Sequence, residues 1–177
     1  MADESYIDFL ADPAPATLVG CRLGNVIVLR SPSKFFGLAG ARSGAAWSTR
    51  PLPACLRTDR TSWPVSAFAA QALKTALADA AWAGRARQHL ASDAAWLTQG
   101  LGACGLDIAP GTLHFRLLTG PAGQITRFAA GLEAHGIAVR VLDEACGIGK
   151  PAVRISAPPV QERAKLAAVL QTLGGQQ

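Results

Sequence analysis

The amino-acid sequence predicts an α/β chain in two parts, the end of a large parallel-sheet domain over residues 1–80 and a smaller α+β domain over 81–177. Three features predict it. Four consecutive large aliphatics, Val26 to Leu29, stand between Gly24 and Ser31-Pro32, and a run this short reads as a strand buried on both faces, the habit of a parallel sheet. After Gly111 the pattern changes to short alternating strands separated by amphipathic helices. Hydrophobic residues make up 50% of the 177, enough to build a core and too many for a disordered chain.

The elements follow in order. Asp3 to Phe9 reads as the exit from a strand, although only two residues precede it. The 26–29 strand should be flanked by a strand on each side, yet the sequence offers no neighbour of its own parallel kind, so the chain reads as the later part of a larger fold. Residues 31–40 form a glycine-bearing loop at the strand's carboxyl end, where parallel sheets place ligands. Residues 50–64, rich in Pro, Thr and Arg, read as a connection. A helix follows over 65–81, with Phe68, Ala72, Leu73, Ala76 and Leu77 at helical spacing and Pro64 near its first turn. A second runs from about Trp82 to Leu101, with Arg85, Arg87 and Asp93 on its polar side and Trp82 and Trp96 read as core. Beyond Gly111, Leu113, Phe115 and Leu117 share one face of a strand and His114 and Arg116 the other. Ile125, Phe128, Ala129 and Leu132 form a helix stripe that Gly136 ends. Ile137, Val139 and Val141 alternate again, Val153 and Ile155 mark a third strand, and Pro158-Pro159 opens a last helix carrying Leu166, Val169, Leu170 and Leu173.

Composition narrows the partners. Seventeen Lys+Arg against twelve Asp+Glu give a formal charge of +5, which suits an anionic small molecule, but no polybasic block marks a nucleic-acid surface. Cys21, Cys55, Cys104 and Cys146 form no CxxC pair and no His stands at zinc-ligand spacing, so neither a disulfide framework nor a metal site is expected. Reduced thiols and a cytoplasmic location follow. No apolar stretch has membrane-spanning length, and Met-Ala-Asp-Glu lacks the basic and apolar regions of a signal peptide.

Lys34 carries the chemistry. It is one of four lysines and sits just after the buried strand, between hydroxyl residues and the Phe35-Phe36 pair. A lysine amine whose charge is disfavoured by apolar neighbours becomes a nucleophile toward an aldehyde, the route to a Schiff base. Alone, Lys34 would pass for a solvated loop residue. Ser31, Ser33 and Arg42 change the reading, because two hydroxyls and a guanidinium supply the donors that a phosphate dianion requires.

The segment Ser-x-Ser-Lys-Phe-Phe-Gly-Leu-Ala-Gly-x-Arg at 31–42 resembles the lysine motif of the class I/II pyridoxal-phosphate-dependent aminotransferases, in the branch that holds histidinol-phosphate aminotransferase and threonine-phosphate decarboxylase. Paired Phe35-Phe36, Trp63-Pro64-Val65-Ser66 and Ala78-Asp79-Ala80-Ala81-Trp82 lean toward the decarboxylase of cobalamin biosynthesis. The resemblance extends through essentially the whole chain. It implies part of the pyridoxal-phosphate transferase fold type I, a homodimer, and a small phosphorylated amino acid as substrate. It also implies that Lys34 forms the Schiff base with pyridoxal 5'-phosphate and that Ser31, Ser33 and Arg42 hold the cofactor phosphate. By the same likeness Asp3 matches the acid that pairs with the pyridine nitrogen, Tyr6 the phenol on the ring hydroxyl, and Arg154 the arginine for the substrate carboxylate. The family's glycine-rich phosphate turn, its ring-stacking aromatic and its asparagine belong to its earlier half and cannot be located in this sequence. A truncated or split gene product, or an incomplete sequence, is therefore expected, with a separate N-terminal half as one form of it. Decarboxylation of threonine phosphate is the first expectation. Aminotransfer of the histidinol-phosphate type comes second, and a fragment inactive alone or acting as half of a complementing pair comes third. A basic module that binds polyanions is the reading from another class.

Overall fold

The computed structural model describes residues 1–51, 65–143 and 146–175. The expected connection beyond Pro51, together with Trp63 and Pro64, lies outside the described residues. The chain divides into two units, Met1–Gln88 and His89–Gln177.

The first unit is built on a sheet of order β1-β2-β3, with β1 at Ala2–Asp3, β2 at Val28–Arg30 and β3 at Ala45–Trp47. β1 runs parallel to β2, with Asp3 opposite Leu29, and β3 runs antiparallel, with Arg30 opposite Ala45. The central strand therefore has a neighbour on each side, as expected. The expectation that it lacks a parallel neighbour is overturned. Two residues suffice, because Ala2 N–H donates to Ile27 O at 2.9 Å and Glu4 N–H to Leu29 O at 2.8 Å. Val28 is fully buried while Leu29 and Arg30 are half-buried, so burial on both faces is only partial.

Glu4 secures this small sheet. Its buried carboxylate accepts from Leu18 N–H at 2.6 Å, Thr17 Oγ1 at 2.7 Å and Arg30 Nε at 3.1 Å, tying the 17–18 segment to β2. Burial pushes the Glu4 carboxyl up, but the Leu18, Thr17 and Arg30 donors together hold it below the ordinary value.

Helix α1 spans Ala67–Ala78 and begins at Ser66, whose side chain accepts from Ala69 N–H. Its packed stripe is Ala69, Ala72, Leu73 and Ala76, while Phe68, expected on the stripe, is 90% exposed and Leu77 is exposed too. Among so many alanines the burial contrast is low, and the stripe settles one residue later than the larger side chains suggest. Asp79 alone separates α1 from helix α2, Ala80–Leu101, and its Oδ1 accepts from Trp82 N–H at 2.8 Å.

In the second unit four antiparallel strands follow the order β4-β5-β7-β6. They are β4 (Asp107–Ile108), β5 (Phe115–Thr119), β6 (Arg140–Leu142) and β7 (Ala152–Ser156), one strand more than expected. Ile137 and Val139 precede β6 rather than forming it. Helices α3 (Ala122–Ala134) and α4 (Arg163–Gly174) join the end of α2 in covering one sheet face. The core collects Leu97 and Leu101 of α2, Leu118, Ile125, Phe128, Leu132, Val153, Ile155, Leu166 and Leu170.

Leu118 lies opposite Val153 on the core side, so Phe115, Leu117 and Arg154 share the other face. Phe115 and Leu117, two of the three apolar residues expected to align, do so on the side away from the core, whereas Leu113 precedes the strand. Arg116 instead points toward α2 and donates from Nε to Thr98 Oγ1 at 2.6 Å. Gly136 ends α3 at φ +70°, with Gly136 N–H on Glu133 O and Ile137 N–H on Leu132 O, the paired bonds of a Schellman turn. Gly131 lets α3 and α4 approach closely, since a Cβ there would lie 2.6 Å from a Leu173 methyl.

Candidate active site

β2 hands the chain to a turn at 32–36 that Phe36 N–H closes on Pro32 O at 3.1 Å. Within it Phe35 is buried and Lys34 is exposed, so the turn anchors by its phenylalanine and presents its amine. Phe35 meets Phe9 edge-on at 5.2 Å, Phe36 at 4.9 Å and Trp82 at 5.5 Å, and Phe36 stacks on Trp82 at 5.6 Å. Trp82, expected as core, is instead 38% exposed and serves this cluster, whereas Trp96 packs against the core of the second unit.

Three of the residues named from the sequence come together here. Lys34 Nζ lies 4.4 Å from the centroid of the Tyr6 ring, and Tyr6 packs on Phe9 at 5.5 Å. Asp3 leaves β1 beside β2, and its Oδ1 accepts from the Ser5 hydroxyl at 2.5 Å and Ser5 N–H at 2.8 Å. Those two donors hold the Asp3 carboxyl below its usual range, burial opposes them weakly, and the charge of Lys34 adds to the lowering. An acid, a phenol and an amine thus form one group at the end of the sheet.

The hydroxyls of Ser31 and Ser33 are 2.6 Å apart and hydrogen-bonded to each other. Arg42 follows a short 3-10 turn at Ala39–Ala41 and donates from Nη1 to Ala39 O at 3.1 Å. Among the described residues it is the one non-glycine with positive φ, at 48°.

Arg154 stands in the second unit. Its guanidinium lies 5.2 Å from the Phe115 ring centroid. Strand register places Arg140 directly across from it, a like-charged pair that a sheet tolerates poorly without an anion. Among the described residues no carboxylate comes within 4 Å of either arginine. Both line a cavity of about 470 Å³ together with Lys165, Glu162 and apolar Ile137 and Val139. Burial first, and the charge of Arg154 second, push the neighbouring His114 imidazole below its ordinary value. Sequence reasoning missed Arg140. Its signal was the alternation itself, which puts Arg140 on the face opposite Val139 and Val141.

Comparison with known proteins adds the lineage. The family model described as Aminotransferase class I and II matches residues 1–173. Histidinol-phosphate aminotransferase 1 of Bordetella parapertussis is 32% identical over 143 residues, covering 79% of this chain and 40% of that protein. The structure of histidinol-phosphate aminotransferase from Clostridium acetobutylicum superposes with a TM-score of 0.81 at 19% identity, over 99% of this chain and 54% of that one. That from Sinorhizobium meliloti, in complex with pyridoxal-5'-phosphate, gives 0.74 at 25% identity over 98% and 48%. L-threonine-O-3-phosphate decarboxylase from Porphyromonas gingivalis gives 0.68 at 23% identity over 96% and 53%. The chain thus spans less than half the length of the curated relatives it matches.

Proposed function

The chain belongs to the class I and II aminotransferases, a pyridoxal-phosphate-dependent family of fold type I, and from that membership we propose that it is the lysine-bearing part of a decarboxylase acting on L-threonine O-3-phosphate to give aminopropanol phosphate. One observation carries the choice within the family. Phe35-Phe36 and the 78–82 segment, the described sequence features that lean toward the decarboxylase, pack on one another through Trp82.

The donor set fits the cofactor. An amine, an acid held ionised, a phenol and two hydroxyls stand along 3–6 and 31–34, matching the aldehyde, ring nitrogen, ring hydroxyl and phosphate of pyridoxal phosphate. Bound there, the cofactor supplies an electron sink for the bond that breaks at the substrate's α-carbon. Lys34 offers the amine that captures the aldehyde and later holds or moves a proton at Nζ. Asp3, as an anion, favours the protonated ring nitrogen. Tyr6 would bond the ring hydroxyl through its phenol, while Ser31, Ser33 and Arg42 would hold the phosphate. Arg154 receives a substrate anion, and Arg140 beside it adds the second positive charge that a phosphorylated substrate favours. The assembly is a homodimer in this reading.

Aminotransfer of the histidinol-phosphate type is the second reading, favoured by the curated relatives. Incubation with L-threonine O-3-phosphate and pyridoxal phosphate separates the two. Carbon dioxide with aminopropanol phosphate supports decarboxylation; a keto acid without carbon dioxide removes it. Turnover that appears only when the N-terminal half of a relative is added supports half of a complementing pair.

A further inference from the structure

We infer that Arg87 is a positioning residue for the Lys34 amine, an inference that rests on Lys34 being the group that captures the coenzyme aldehyde. Helical periodicity assigns Arg87 to solvent along with Arg85. Arg85 is exposed, but Arg87 is half-buried. Its Nε donates to Asp8 O at 2.9 Å, and its guanidinium carbon lies 5.3 Å from the centroid of the Phe35 ring.

These two contacts reach the two segments that frame the amine. Asp8 O belongs to the 3-10 turn Ile7–Phe9 that directly follows Tyr6, the ring beside Lys34 Nζ. Phe35 directly follows Lys34 and is the buried anchor of its turn. One side chain of α2 therefore fastens both sides of the Lys34–Tyr6 pair. Among the described residues no carboxylate lies within 4 Å of Arg87. A cation part-buried without an acid costs desolvation that a plain surface position would avoid. A guanidinium can stack its flat face on a ring while an edge N–H bonds a carbonyl, whereas an ammonium cannot do both from one place.

Lysine is a flexible side chain on an exposed turn, and addition to an aldehyde needs its nitrogen near the carbonyl carbon in the right orientation. Loosening either the Phe35 turn or the Tyr6 segment spreads the amine over unproductive positions. The loss falls on the bond-forming step. In this reading affinity for the coenzyme falls to Ser31, Ser33, Arg42 and Asp3, and among the described residues the polar and ring partners of Arg87 are Asp8 O and Phe35 instead.

The test uses the purified chain with pyridoxal 5'-phosphate as probe. The Lys34 nitrogen adds to the aldehyde carbon and water leaves. Borohydride then delivers hydride to the carbon–nitrogen double bond and leaves a stable secondary amine, read by mass on the Lys34 peptide. Rates at a series of probe concentrations separate the saturating rate from the half-saturating concentration. Arg87→Met is expected to lower the saturating rate by about fivefold with the half-saturating concentration within about twofold of wild type. Arg87→Lys is expected to recover less than half of the loss. Phe35→Leu removes the ring beneath the guanidinium and is expected to fall between wild type and Arg87→Met. A saturating rate within about twofold of wild type in both Arg87→Met and Phe35→Leu overturns the inference. So does a lowered melting temperature with an unchanged saturating rate for the folded fraction. A wild-type chain that leaves Lys34 unlabelled sinks the reading of Lys34 itself.

Discussion

The two units are held together by different physics. In the second, β5 and β7 pair over five positions and three helices bury Leu97, Leu101, Leu118, Ile125, Leu132 and Val153 completely. In the first, strands of two or three residues surround Val28, the one fully buried large aliphatic among its described residues, and directional contacts supply the rest. The Glu4 clasp and the aromatic chain from Tyr6 through Phe9 and Phe35 to Trp82 are those contacts. Area stabilises the second unit, and geometry stabilises the first. The chemistry assigned to Lys34 sits where the geometry is, so damage to the two units should look different.

The largest effect is expected in the area-driven core. Leu132→Ala removes a side chain with no exposed surface, and a loss of about 2–5 kcal/mol is expected in urea denaturation. Amide exchange should rise through α3 and β7, with Lys34 labelling in the folded fraction unchanged. Equal loss of labelling would show that the first unit has no independent hold on its lysine turn.

Glu4→Gln tests the clasp. The amide keeps the shape but sets its NH₂ group either against the Leu18 donor or against the Thr17 and Arg30 donors, which share the other oxygen, and a cost of about 1–3 kcal/mol is expected. Here the damage should appear as faster exchange near Leu18 and β2. Acid separates the units too. The folded Glu4 carboxyl sits below its ordinary value of 4.5, so its stabilisation is present above that pH and is lost as pH falls through the folded value. His114 is also depressed below its ordinary 6.5, and a depressed histidine begins to cost stability as pH drops under 6.5. Protection from exchange, taken relative to the unstructured rate at each pH from 7 downward, should therefore fall around His114 before it falls around Glu4. The reverse order would break the assignment.

Legibility in the sequence follows the same division. The α3 stripe was readable because Ile125, Phe128, Ala129 and Leu132 differ strongly from their neighbours, and Gly136 marks the one place where a left-handed residue ends the helix. The lysine turn was readable from its motif and the strand before it. Less readable were β1 and β4, pairs of two residues too short to carry a period. The core face of β5 was hidden because both alternate sets contain large side chains and the charged Arg116 takes the helix side, where its Nε bonds Thr98 Oγ1. Arg87 and Arg140 were hidden for one reason: what each faces is set by partners distant in sequence, Asp8 in one case and Arg154 in the other.

Gly136→Ala gives a smaller effect in the second unit. The nearest atom to the added methyl would be Lys165 Nζ at 3.6 Å, the mobile end of a side chain, so the cost is backbone strain alone. About 1 kcal/mol in urea denaturation is expected. A value near zero would mean that the turn relaxes to a conformation alanine accepts.

Arg42→Gly reverses the sign in the first unit. Arg42 holds φ at 48°, a conformation that costs a side-chain-bearing residue roughly 1 kcal/mol and glycine almost nothing. Glycine's greater freedom in the unfolded chain returns part of that gain, leaving a stabilisation of about 0.5 kcal/mol. If the strain is held for the sake of a phosphate, the same change should weaken pyridoxal phosphate more than pyridoxal, which lacks that group. Binding of both compounds, followed by quenching of tryptophan fluorescence, reads the difference. Equal weakening, or none, would leave Arg42 with a turn to make and no anion to hold. The directional character of the first unit would then end at Lys34 and its aromatic support.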